Sequence, residues 1–422
     1  MTAQGDCDPR FARVREVFEG NFARGEELGA SFAVYLDGEP VVDLWDGVAD
    51  RHTGRPWVRD TPVLSYSCTK GVTATALHML AERGLVDVRG PVAEVWPEFA
   101  AHGKEKITVE HLLTHQAGLP VIEREVPVEE FEDQAAIADR LAGQAPIWEP
   151  GTAHGYHALT YGFLVGEVIR RVTGGSVGEM VAAEIAGPRG LDLWLGAPDD
   201  VTARAGQLSA STRTTTSADG TGTGEDGTAS DPGAVDAGGD EGGANRALDA
   251  VMGGRGPGDP LYEMAKASLD KDSLMNRAMG NPSPGKLKGG ANHPVIMRAG
   301  WPAMGLVTTA RGLAGFYRDL VAGDIVKPET LDDAIRRRVQ GPDRVMFVDS
   351  SFGLGYMRSG LTFLTPAKGA DSAFGHTGLG GSIGLGDVRH GLAMAYNMNK
   401  MASAAGSLRA FRLVEATYNS LP

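Results

Sequence analysis

Segments that read as β-strands lie at the two ends of this chain, and the long stretch between them reads mostly as helix. Near the start, residues 31–36 and 41–45 are rich in β-branched and aromatic side chains and are separated by Asp37-Gly38-Glu39-Pro40, whose Asp-Gly supplies a hairpin turn. Near the end, residues 351–357 and 391–397 read as further strands. Each terminus also carries a helical repeat, Phe11, Val14, Phe18 and Phe22 at one end and Leu408, Phe411, Val414 and Tyr418 at the other. The middle offers helices over 107–115, 134–141 and 161–172. This layout predicts an α+β fold: an antiparallel sheet built from both ends of the chain and flanked by the terminal helices, with a mostly helical domain inserted between them. The expected boundaries are 9–80 with 303–420 for the sheet domain and 81–302 for the helical one.

Composition narrows the function classes. At 422 residues there is room for one large or two medium cores. The formal net charge of −14 argues against nucleic acid or an anionic membrane as partner. Half of that excess lies in one segment, because Asp219, Glu225, Asp226, Asp231, Asp236, Asp240 and Glu241 fall between Thr215 and Asn245 with no Lys or Arg among them. Residues 208–245 are Gly, Ser, Thr, Ala and Asp with almost no large apolar side chain, which predicts a disordered, solvated insertion. Cys7 and Cys68 cannot build a disulfide framework and read as free thiols. The first residues lack the basic patch and apolar run of a secretory signal, and no apolar stretch reaches membrane-spanning length, so the protein reads as soluble and cytoplasmic.

The chemistry centres on Ser67-Cys68-Thr69-Lys70. On the first turn of a helix a serine and a lysine three residues apart face the same way, which sets an amine beside a hydroxyl that is a poor nucleophile on its own. The same spacing recurs at Ser268 to Lys271 and Ser283 to Lys286. Only Ser67 follows an extended segment ending at Leu64 and precedes apolar residues at 72, 76, 79 and 80, the repeat of one helical face. Ser67 is thus expected at a helix N-terminus, where backbone N–H groups favour developing negative charge.

Three later segments can supply what this pair lacks. Residues 148–162 form a Gly-rich loop running into a helix with Tyr156 at its tip; beside a lysine ammonium its phenol can have a lowered pKa and serve as base and then acid, and the plain alternative is a packing tyrosine. Residues 374–384 are glycine-rich, so backbone can approach a ligand and the Leu379 N–H can join that of Ser67 as an oxyanion donor. His111 and His115 stand one turn apart, but neither a His-Glu-x-x-His order nor a third ligand accompanies them, so a loop-positioning role is expected rather than zinc. Gly380-Gly381-Ser382-Ile383-Gly384 matches the Gly-x-Ser-x-Gly nucleophile elbow, but the chain after Ser382 reads as strand, and its only later histidine is His390, three residues past Asp387. Ser382 is expected to be a decoy.

Taken together, these segments resemble the serine β-lactamase-like superfamily: class C β-lactamases, D-alanyl-D-alanine carboxypeptidases and above all family VIII carboxylesterases. The resemblance rests on Ser-Cys-Thr-Lys at 67–70, the run from Ile107 to Pro120, Trp-Glu-Pro-Gly at 148–151, Tyr156 with the helix after it, His-Thr-Gly at 376–378, and residues 303–314 leading into a helix. It implies a β-lactamase-like fold with a cleft between the domains, Ser67 as nucleophile, Lys70 as its activating partner, Tyr156 as acid/base, the Ser67 and Leu379 amides as oxyanion hole, and His376, Thr377 and Gly378 as substrate-binding residues. Neither a metal nor an organic cofactor is implied. Two departures bear on substrate: alanine stands at 158 where β-lactamases carry asparagine, and His376 stands where they carry lysine. Both remove polar recognition suited to β-lactams or peptides. The expectation is a serine carboxylesterase that cleaves a small-molecule ester of short acyl chain through an acyl-enzyme. The alternatives are an acyltransferase on the same acyl-enzyme, a β-lactamase or D-alanyl-D-alanine peptidase, and a catalytically silent scaffold or sensor.

Overall fold

The computed structural model describes residues 2–210, 256–402 and 408–421 of the chain. Its strands in chain order are β1 (Gln4–Cys7), β2 (Gly29–Leu36), β3 (Glu39–Asp50), β4 (Arg55–Pro56), β5 (Val63–Leu64), β6 (Leu193–Leu195), β7 (Leu306–Thr308), β8 (Val339–Pro342), β9 (Asp349–Phe352), β10 (Met357–Arg358), β11 (Ala373–Thr377), β12 (Ile383–Asp387) and β13 (Leu392–Met398). A 10-stranded sheet runs β1-β3-β2-β13-β12-β11-β10-β9-β8, with β4 paired to β3, and every pair is antiparallel. The two ends of the chain meet at β2 and β13, with Ala30 opposite Met398 and Leu36 opposite Leu392. Positive φ at Asp37 (50°) and Gly38 (86°) makes the tight turn that the Asp-Gly pair predicts between β2 and β3.

Alternation along the strands separates two cores. Phe32, Val34, Leu44, Leu385, Met394 and Tyr396 share one core with Phe11 at the cap of the Ala12–Ala23 helix, Val14 and Phe18 on that helix, and Leu413, Val414 and Tyr418 of the Arg409–Asn419 helix. On the other face Ala33, Ala393 and Ala395 are small, and the Ala310–Ala322 helix lies close over them. Gly384 belongs to this contact: a Cβ there would stand 2.5 Å from the Tyr317 ring and 3.1 Å from Leu313. That second core continues into the helices Val109–Leu113, Gln134–Ala142 and Thr160–Thr173. The Thr69–Glu82 helix is buried on all sides from Thr69 to Leu80, sandwiched between β11 and the Thr160–Thr173 helix. A small sheet in the order β5-β7-β6 delivers the chain to its N-terminus.

Several elements differ from the sequence expectation. β1 adds a strand before residue 9, bonded along β3, although its four residues carry no strand periodicity. Residues 351–357 are two strands, not one; Gly355 takes φ +85°, and Gly353 lies so near the Ala334 carbonyl that a Cβ would sit 2.3 Å from it, so the chain turns between Phe352 and Met357. Leu408 is exposed because it precedes the first turn of the last helix, whose buried stripe is Leu413, Val414, Thr417 and Tyr418. Leu208 and Ser209 are buried, with Ser209 bridged to Lys400, whereas the predicted disordered insertion from 211 to 245 lies outside the described residues. Cys7 and Cys68 are free thiols. No helix among the described residues is long and apolar enough to cross a membrane.

The close seat of the helix on Gly384 is testable. Gly384→Leu is expected to destabilise the fold by about 1–3 kcal/mol through overpacking, read as a lower urea midpoint with an unchanged m-value.

Candidate active site

Ser67 sits between β5 and the Thr69–Glu82 helix. Tyr66, just before it, has φ 45°, a left-handed conformation that costs a bulky residue roughly 1–2 kcal/mol. Cys68 already has helical angles, and the Lys70 N–H donates to the Ser67 carbonyl at 3.0 Å, so Ser67 opens the first turn as predicted. Its side chain is half-buried, while Lys70 is fully buried.

Lys70 Nζ has three near neighbours: the Ala158 carbonyl at 2.7 Å, the Ala303 carbonyl at 2.9 Å and Ser67 Oγ at 3.1 Å. Burial holds its pKa well below the usual lysine value. A neutral amine has two N–H bonds and one lone pair. The carbonyls can only accept, so they take the N–H bonds, and the lone pair is left for the Ser67 hydroxyl proton. As an ammonium the same nitrogen would donate to all three oxygens, so gaining a proton breaks no contact.

Tyr156 comes next to this pair. Its ring lies 4.8 Å from Lys70 Nζ. The sequence expectation of a lowered phenol pKa is not met. Burial raises it, opposed by its interaction with Ser67. The two shifts, lysine down and phenol up, both favour an amine beside a phenol. Its tip is fixed from behind: Asp343 Oδ1 accepts the Tyr156 N–H at 2.9 Å together with the N–H groups of Val345 and Met346, and Asp343 Oδ2 accepts from Ser350 Oγ at 2.8 Å. Ser350 in turn meets His154 Nε2 at 3.0 Å. Asp343 was not singled out from sequence; its one local signal is the Asx pattern of a carboxylate accepting from the N–H groups two and three residues on.

The run 107–120 braces the same loop. His157 Nδ1–H donates to the Gly155 carbonyl at 2.7 Å and Nε2 accepts from the Leu119 N–H at 3.0 Å, so one neutral tautomer is locked; burial pushes its pKa down to about 4. His115 Nδ1 accepts the His157 N–H at 3.1 Å, and its ring packs against Tyr156, Tyr161 and Phe352. His111 Nδ1 instead accepts the Thr108 N–H at the cap of the Val109–Leu113 helix. The two histidines thus position loops, and among the described residues no group of three or more His, Cys, Asp or Glu side chains is placed to hold a metal.

The opposite wall is β11 and the turn after it. His376 is buried on β11; its Nδ1 lies 2.6 Å from the Thr377 carbonyl and must carry the proton, leaving Nε2 as an acceptor with no partner among the described residues. Burial drives its pKa to about 3, so it is a neutral imidazole. Thr377 Oγ1 donates to the Thr362 carbonyl at 3.2 Å. Gly378 passes so close to the nucleophile segment that a Cβ would meet the Ser65 carbonyl at 2.4 Å. Leu379 stands in the turn beyond the end of β11.

The rival serines fall elsewhere. Ser268 Oγ donates to the Ala265 carbonyl at the end of the Pro260–Leu269 helix, and Lys271 is exposed beside Asp272. Lys286 is engaged by Glu125 at 2.7 Å and the Val126 carbonyl at 3.0 Å. Ser382 is buried and enters β12 rather than a helix.

A protein-family model described as Beta-lactamase matches residues 14–418. The esterase/β-lactamase LipL of Mycobacterium tuberculosis (strain ATCC 25618 / H37Rv) is 33% identical over 411 residues, covering 94% of this chain and 83% of that protein. Among solved structures, a family VIII carboxylesterase superposes with a TM-score of 0.77 at 32% identity, and a penicillin-binding protein homolog from Caulobacter crescentus with 0.79 at 35%, each covering 100% of both chains.

The Asp343 anchor yields an expectation. Asp343→Ala leaves three backbone N–H groups and the Ser350 hydroxyl without their acceptor, so Tm should fall. In the protein that remains folded, kcat should drop about 10-fold or more with KM little changed, because Tyr156 is displaced rather than removed.

Proposed function

The chain belongs to the Beta-lactamase family and is a serine hydrolase of that fold, and within the family we propose that it is a carboxylesterase acting on uncharged, short-acyl esters. The observation that carries the chemistry is the setting of Lys70: two carbonyls consume its N–H bonds, and its lone pair faces Ser67. Ser67 gives its proton to Lys70 as Oγ attacks the ester carbonyl carbon, and the new oxyanion is held by the Ser67 and Leu379 amides. As the tetrahedral intermediate collapses, the C–O bond to the alcohol breaks and the leaving alkoxide takes the Tyr156 proton. The Lys70 ammonium, of depressed pKa, then reprotonates the phenolate of raised pKa, which restores the resting pair; since the two titrate together, the apparent pKa values belong to the pair. Water repeats the cycle on the acyl-enzyme and frees the acid.

Two features support an ester over a β-lactam or a D-alanyl peptide. Ala158 contributes only its carbonyl, to Lys70, where an asparagine side chain would offer an amide. His376 is neutral, so this side chain offers no cation to a substrate carboxylate. The name of the LipL relative pairs esterase with β-lactamase activity, which makes nitrocefin the essential comparison substrate.

Purified protein should hydrolyse p-nitrophenyl butyrate far faster than nitrocefin, and Ser67→Ala should lose essentially all of the ester activity. Equal hydrolysis by Ser67→Ala would refute the assignment, and efficient nitrocefin cleavage would refute the ester preference. Lys70→Arg should cost about 10²–10⁴-fold in kcat/KM, the range of general base catalysis, because an arginine has no lone pair to offer. The sign of the pH dependence follows from the lowered lysine pKa: the amine is the active form, so kcat/KM is lost as pH falls through that pKa, which lies well below the usual lysine range. A rise in activity that begins only near pH 10 would contradict this.

A further inference from the structure

We infer that Ser382, the serine of the Gly-x-Ser-x-Gly sequence, and Arg409, at the start of the last helix, are positioning residues that fix the Leu379 amide relative to Ser67. The inference rests on the roles given above to Ser67 and Leu379. The turn after β11 contains Gly378, Gly380 and Gly381, the last two at φ +86° and +119°. Three glycines in four residues leave the turn with little conformational preference of its own. An oxyanion donor works only when held about 2.7–3.1 Å from the developing charge, so that placement must be imposed by the surroundings.

Ser382 imposes it on one side. It is 2% exposed, its Oγ donates to the Ser65 carbonyl at 3.2 Å, and its own carbonyl accepts the Gly378 N–H at 2.8 Å. The Cys68 thiol lies 3.7 Å from the same hydroxyl and 3.4 Å from the His376 carbonyl. One buried serine therefore touches the residues two before and one after Ser67 and also closes the turn that carries Leu379. Its hydroxyl is committed to a carbonyl, which suits a brace and not a nucleophile.

Arg409 holds the other side. Its Nη2 donates to the Gly380 carbonyl at 2.9 Å and the Lys400 carbonyl at 2.8 Å, and its Nη1 to Glu27 at 2.8 Å and the Glu26 carbonyl at 2.6 Å. The guanidinium is almost fully buried against an equally buried Glu27. Its planar fork is a stiff strut, unlike the pivoting ammonium of a lysine. The Ala402 N–H adds a second bond to the Gly380 carbonyl, at 3.1 Å.

The test compares wild type, Ser382→Ala and the control Ser31→Ala, a similarly buried serine on β2. The readouts are p-nitrophenyl butyrate kinetics, Tm, and inhibition by an alkylboronic acid, whose tetrahedral adduct on Ser67 loads the oxyanion donors. Ser382→Ala should lower kcat about 10-fold or more with KM within about twofold, and weaken the boronic acid by a similar factor; Ser31→Ala should change neither. Arg409→Lys keeps the charge beside Glu27 but not the fork, and should reproduce the kcat-selective loss if Ser382→Ala does not fold. Wild-type kcat and boronic acid affinity in Ser382→Ala, or a loss matched by Ser31→Ala, overturns the inference alone. Wild-type protein that a fluorophosphonate does not label at Ser67 overturns the reading of the site and this inference with it.

Discussion

Burial of one amine organises this protein. An uncompensated lysine ammonium in a low-dielectric interior is costly, and Lys70 avoids that cost by resting neutral between two carbonyls. Those carbonyls come from Ala158, on the Tyr156 loop, and Ala303, just before β7. Three remote segments must therefore converge within hydrogen-bond reach of a single nitrogen. Once they do, the lone pair has one place left to point, and Ser67 is there. Tyr156 follows from the same arrangement: beside an amine, not an ammonium, its phenol keeps its proton and becomes the group that can release it to a leaving alkoxide.

The sheet supplies the rigidity that such convergence requires. β2 and β13 join the ends of the chain, and the small residues on one face let the Ala310–Ala322 helix lie close. The buried Thr69–Glu82 helix is then clamped against β11, and Gly378 meets the Ser65 carbonyl at a distance no side chain would permit. The nucleophile and the turn that carries Leu379 thus belong to one packed unit. The turn itself is rich in glycine, and the buried side chains of Ser382 and Arg409 make hydrogen bonds around it.

Local signals made much of this legible before any coordinates. Runs of β-branched and aromatic residues flanking an Asp-Gly turn marked β2 and β3, residues 391–397 also read as a strand, and 3.6-residue repeats marked the terminal helices; all are short-range signals. The setting of Ser67 separated it from Ser268 and Ser283 for the same reason. What escaped detection is long-range and polar. Asp343 reaches Tyr156 across 187 positions and Arg409 reaches Glu27 across 382, and such pairs leave no periodicity. β1 escaped because an edge strand of four residues can be polar on both faces. The phenol pKa was misjudged because a lysine in a sequence is naturally taken as a cation, whereas its charge depends on a burial that only folding creates. Ser382 was rightly set aside as a nucleophile, yet its packing against both halves of the site is visible only when 65, 68, 378 and 382 are seen together.

The charge state of the cleft ties these points to substrate choice. Burial lowers the Lys70 pKa, raises that of Tyr156 and holds His376 near 3, so all three shifts favour the uncharged form. On the proposed reading a neutral ester would enter such a site without having to match a fixed charge, whereas a substrate carboxylate would meet no cation at His376. Charge develops only during acylation, when Lys70 gains a proton and the substrate oxygen becomes an anion. In the proposed mechanism the oxyanion is then met by the Ser67 and Leu379 amides and by the Lys70 ammonium beside the attacking oxygen. Interactions that strengthen as charge develops accelerate the reaction, while those already present in the bound substrate only tighten binding. A cleft that is neutral at rest and paired in the transition state puts its electrostatics where they lower the barrier.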